Sequence, residues 1–147
     1  MNKLTVSFLL SLLLFVSCSR EETIVEETYP DGSPKRVCIY LTRGEEKELI
    51  KETTYYVDKK IRMEGTYKNG LRDGKWNYWY QNGTLWSEGF FKNGKSDGKR
   101  TTYYENGKIR YEGTYKEETR IGIWRFYDEQ GKLIEEVDYS VAANAKK

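Results

Sequence analysis

The chain has 147 residues, with 25 Lys+Arg against 23 Asp+Glu and a formal net charge of +2. The signs are interleaved, so no basic block points to nucleic acid or anionic lipid, and there is no acidic tail. Histidine is absent, which excludes Ser-His-Asp and Cys-His catalysis and every His-ligated metal site, and no cofactor is expected.

Lys3 is followed by an apolar run from Leu4 to Val16, broken by Thr5, Ser7 and Ser11. This predicts an export signal over residues 1–17. The run falls short of the roughly 20 apolar residues of a spanning helix. Phe15-Val16-Ser17-Cys18 resembles the lipobox of bacterial lipoproteins. That resemblance implies removal of residues 1–17 and lipidation of Cys18, which anchors the chain in the cell envelope. Ser19-Arg20-Glu21-Glu22 resembles the acidic tag of lipoproteins displayed on the outer surface in the Bacteroidetes group, which implies an outer-membrane address. Two alternatives stay open: a buried helix, or an ordinary secretory signal, which would permit a Cys18–Cys38 disulfide. Residues 18–28 read as a short tether from the anchor. Cys38 alternates with Val37 and Ile39 and reads as a half-buried structural cysteine.

From Tyr29 onward the chain is periodic. Tyr29-Pro30-Asp31-Gly32 reads as a diverged first unit, and clear units follow at 55–78, 79–102 and 103–126, with a half-unit at 127–139. Gly65, Gly89 and Gly113 recur every 24 residues, as do Gly74, Gly98 and Gly122, and Ile61, Leu85, Ile109 and Leu133. Tyr55, Trp79, Tyr103 and Tyr127 keep the same step, as do the pairs Asn82-Gly83, Asn106-Gly107 and Gln130-Gly131. A fixed period of this size signals a modular array whose units are stabilised by their neighbours.

Each unit predicts a β-hairpin turned at its Asn-Gly pair with both residues at positive φ. The stretch Lys92–Gly98 reads as a longer loop between units. The fold expected over 29–139 is all-β, an elongated antiparallel meander of repeated β-hairpins. About eight strong strands, with two or three weaker ones, would give a sheet ~38 Å long. Period two puts Trp76, Tyr78 and Tyr80 on one face with Met63, Gly65 and Tyr67, and puts Arg62, Glu64, Arg110 and Glu112 on the other. A strand glycine needs a cause, and the rings of Trp76 and Trp124 are expected to lie over Gly65 and Gly113. Val137 takes that slot in the last unit. Residues 140–147 read as a disordered tail.

The pattern Tyr-x-x-Asn-Gly-x-Ile/Leu-x-x-Glu-Gly-x-Tyr-Lys-x-Gly…Gly-x-Trp resembles the MORN repeat, and more closely its bacterial variant with longer units. The resemblance covers residues 53–139. It implies a β-hairpin array used for protein or membrane contact. Some bacterial members carry the label of antitoxins of the YwqK type, which implies no chemistry. Arg100 departs from the pattern where a tryptophan stands in other units, and Glu117-Glu118-Thr119 departs where an Asn-Gly loop is expected.

Two candidate sites follow. Glu64, Glu88, Glu112 and Glu136 form a ladder that could meet a cation or basic partner, or simply pair with Arg62 and Arg110 on a solvated face. Glycoside hydrolysis would need two carboxylates across a cleft, ~5–9 Å apart, and a one-layer sheet offers none. The second candidate is a row of rings, Trp79, Trp86, Tyr103 and Tyr127, expected on the face opposite the main apolar stripe unless residues 23–52 cover it. The expected function is a non-catalytic, envelope-anchored lipoprotein that binds a protein or acts as a scaffold, with a protein partner favoured over a glycan. An antitoxin-like inhibitor and a carbohydrate-binding surface lipoprotein are the alternatives.

Overall fold

A computed structural model describes residues 19–140. The export signal, Cys18 and the tail from residue 141 onward lie outside the described residues. The strands are β1 Ser19–Thr28, β2 Pro34–Arg43, β3 Glu46–Tyr55, β4 Ile61–Lys68, β5 Leu71–Trp79, β6 Leu85–Lys92, β7 Lys95–Tyr103, β8 Ile109–Lys116, β9 Thr119–Tyr127 and β10 Leu133–Asp138. They form one ten-stranded antiparallel sheet whose spatial order is the chain order. The expected meander is therefore the observed fold.

Its N-terminal end differs from expectation. Residues 19–28 are strand β1 rather than a tether, paired with β2 from Ser19↔Arg43 to Thr28↔Pro34. An edge strand presents a row of free N–H and C=O groups, and pairing satisfies them even for a polar segment. Ile24 and Val25 face Cys38 and Val37 across this pair. Residues 23–52 likewise extend the sheet edgewise, so they cover neither face.

The two turn types are the reverse of those predicted. In the Tyr80–Thr84 turn, Gly83 N–H donates to Tyr80 O at 2.9 Å and Tyr80 N–H donates to Thr84 O at 2.9 Å. Only Gly83 has positive φ, at 91°. This is a three-residue loop, a type I turn closed by a left-handed residue. Asn82 serves it through its side chain, whose Oδ1 accepts from Thr84 N–H at 2.8 Å. The tight two-residue turns lie at the other end of the strands, at Asn69-Gly70 and Asn93-Gly94, with φ of 52° and 73°, and 50° and 82°. The expected long loop is thus the Asn93-Gly94 turn followed directly by β7. Gly98 lies inside β7, where residues 97–99 bulge opposite Phe90.

Successive units are stitched by tyrosine hydroxyls. Tyr56, Tyr80 and Tyr104 donate to the carbonyls of Trp79, Tyr103 and Tyr127 at 2.7, 2.9 and 2.8 Å. Tyr29 repeats the bond to Tyr55 O at 2.7 Å, which places the diverged first unit in the same array.

Candidate binding face

Residues directly opposite each other in an antiparallel pair share a face. One row therefore crosses the sheet: Ile24, Cys38, Glu52, Gly65, Trp76, Gly89, Arg100 and Gly113. It ends at Trp124 opposite Val137. From Glu52 onward, large side chains alternate with glycines along it. A β-carbon on Gly65 or Gly113 would overlap the ring of Trp76 or Trp124, which is the cause expected for these glycines. Trp76, Trp124 and Cys38 are the fully buried apolar side chains among the described residues. Each indole N–H donates to a carbonyl, Trp76 to Thr66 O at 3.1 Å and Trp124 to Thr114 O at 3.2 Å. Arginines cover both rings: Arg72 lies 4.2 Å over Trp76 and Arg120 lies 4.5 Å over Trp124. Tyr67 and Tyr115 meet the same indoles edge-on at 5.2 and 4.9 Å.

The middle unit breaks this arrangement. Arg100 stands where Trp76 and Trp124 stand, and Ser96 stands where Arg72 and Arg120 stand. Ser87 replaces Met63 and Tyr111, and Thr102 replaces Tyr78 and Phe126. The volume lost opens a groove of about 320 Å3 lined by Tyr78, Trp86, Ser87, Arg100, Thr102, Arg110 and Tyr111. The Arg100 guanidinium lies flat over Gly89, whose added β-carbon would come within 3.0 Å of Nε. That Nε is buried and has no hydrogen-bond partner.

Trp86 and Arg110 reach this face because the strands bulge there. Trp79 pairs with Leu85 and Tyr78 with Ser87, leaving Trp86 as the extra residue. Arg62, Arg110 and Ile134 are the extra residues of the same bulge in β4, β8 and β10. A bulge interrupts the alternation of side chains. Trp86 accordingly meets Tyr78 and Tyr80 at 5.9 and 6.1 Å, and Arg110 lies 5.7 Å over Tyr104. This corrects the sequence reading, which put Arg62, Arg110 and Trp86 on the opposite face.

The expected ring row is thereby divided. Trp86 lies on the ring-and-arginine face. Tyr103 and Tyr127 lie on the other, where their hydroxyls donate to Glu88 at 3.0 Å and Glu112 at 3.2 Å. Trp79 holds the corresponding strand position. The glutamate ladder exists on that face, but its partners are cross-strand cations: Lys51 for Glu64, Lys75 for Glu88, Lys99 for Glu112 and Arg125 for Glu136. The hydrogen bond from Lys75, and then that from Tyr103, hold the Glu88 carboxyl below its ordinary value. Among the described residues, Arg72, Arg100, Arg110 and Arg120 join no ion pair. One face is thus charge-neutralised, while the other carries rings, the Arg36–Glu52 pair and four arginines that join no ion pair among the described residues. The groove had a sequence signal, because Ser87, Arg100 and Thr102 stand out once the units are aligned. The bulges had none, since an extra residue does not disturb the 24-residue period.

The hairpins carry a known sequence pattern. Residues 72–93, 96–117 and 120–140 match the family described as MORN repeat variant. These three hairpins are similar to MORN-variant repeats. Each matched segment is one hairpin, β5–β6, β7–β8 or β9–β10, and each begins just after a tight turn. MORN repeats commonly form protein- or membrane-binding modules and are generally non-enzymatic. No curated protein matches the chain.

Proposed function

We propose that this chain is a non-catalytic module that binds a protein partner through its ring-and-arginine face, and that lipid on Cys18 holds it to the outer membrane. One observation carries the binding reading. The face bears Tyr78, Trp86 and Tyr111 with Arg72, Arg100, Arg110 and Arg120, which join no ion pair among the described residues, and no described element lies over it. Trp, Tyr and Arg are the side chains most enriched at the energetic centres of protein interfaces. The opposite face has spent its carboxylates on its own lysines, which makes it the weaker candidate. The anchor reading rests on residues 1–18, and an exported chain would not meet a cytosolic toxin, which sets the antitoxin reading second.

A photoreactive side chain placed at Arg62, exposed on the ring face, and separately at Phe90, exposed on the other, tests the binding reading in intact cells. A single adduct of defined mass from position 62 alone is expected. Adducts of equal yield from both positions, or from neither, would remove it. For the anchor, Cys18→Ala should leave the membrane fraction. A variant that stays membrane-bound with residues 1–17 attached would overturn lipidation.

A further inference from the structure

We infer that the groove of the middle unit is a carboxylate-binding notch that takes an Asp or Glu side chain from the protein partner. This deepens the proposed binding face and rests on that reading. A guanidinium has five N–H donors. Among the described residues, those of Arg100 make one long contact, Nη2 to Ser96 Oγ at 3.5 Å, and the buried Nε makes none. A buried donor without a partner is costly, so a shift of the guanidinium from its place over Phe91 and Tyr115 toward an acceptor in the groove would relieve that cost. Arg110 supplies a second cation at the rim, and Ser87 and Thr102 line the wall with hydroxyls. Tyr78 and Trp86 close the sides with apolar surface. A volume of about 320 Å3 suits one side chain rather than an extended ligand. A planar fork of donors matches a planar carboxylate, and the nearest glutamates are engaged with lysines on the other face.

The test uses the full chain from Ser19 onward and three probes: a blocked pentapeptide with a central Glu, its Gln counterpart, and inorganic phosphate. The readouts are the nitrogen resonance of Arg100 Nε and tryptophan fluorescence, to which Trp86 contributes. The Glu peptide should shift both saturably, with the Gln peptide and phosphate at least tenfold weaker. Arg100→Trp restores the residue found in the flanking units, so it should fold and should abolish the response. Equal binding of Glu and Gln peptides, phosphate binding as tight as the Glu peptide, or undiminished Glu-peptide fluorescence response in folded Arg100→Trp would each overturn the notch. Failure here is separable from failure of the binding face. If folded Arg100→Trp still gives the full adduct from position 62, the face stands and the notch falls.

Discussion

The indole of Trp76 fills the space that a side chain on Gly65 would need. Trp124 and Gly113 repeat the relationship two units later. A glycine that weakens its own strand is thus the seat of one of the few fully buried rings in a one-layer sheet.

Gly65→Ala and Gly113→Ala should each destabilise the chain by about 3 kcal/mol, because a rigid ring must be displaced. Gly89→Ala should cost less, roughly 1 kcal/mol, because its β-carbon would meet the end of the Arg100 side chain, which can move. Urea unfolding ranks the three, and equal losses would contradict the seating argument.

Arg100→Trp should raise stability by about 1 kcal/mol, since it removes a buried donor without a partner. Adding Ser96→Arg rebuilds the stacked pair seen at Arg72–Trp76 and should contribute a further ~0.5–1 kcal/mol. A double variant no more stable than the single would show that the stacking is incidental.

Glu117 and Glu118 have φ of 46° and 67° in the turn where other units place Asn-Gly. The left-handed region is costly for a residue with a β-carbon. Glu118→Gly should therefore stabilise by about 1 kcal/mol despite the added chain entropy. A thermal melt checks the sign.

Acid should loosen the array in part through Glu88. Its carboxyl is held below the ordinary value of 4.5, first by the Lys75 hydrogen bond. The unfolded chain then takes up the proton more readily than the folded one. The stabilisation is complete above about pH 4.5 and is lost as pH falls through the lower, folded value. Melting temperature followed from pH 7 to pH 3 should fall less steeply for Glu88→Gln than for the parent. Parallel curves would assign the acid sensitivity elsewhere.

Cys38 is fully buried rather than half-buried, and burial pushes its thiol up from the ordinary value. Both effects suppress the thiolate. A thiol reagent at neutral pH should label it only on unfolding, and rapid labelling of the folded chain would contradict its place in the row.

The 24-residue period by itself determined the meander, because a spacing that fits one hairpin leaves each unit only its neighbours for burial. It also determined the Trp76 and Trp124 seats, since a strand glycine recurring beside a tryptophan has few other causes. What the period could not carry was phase. Asn-Gly pairs occur at both ends of the strands, and only the backbone shows that Asn82 works through its side chain while Asn69 and Asn93 work through φ. Only cross-strand pairing revealed the bulges that turn Arg62, Trp86 and Arg110 onto the ring face, because one added residue per strand reverses sidedness without altering the repeat. The groove over Arg100 is likewise tertiary. Ser87, Arg100, Thr102 and Tyr78 come from three adjacent strands, and their shared volume exists only once those strands are in register.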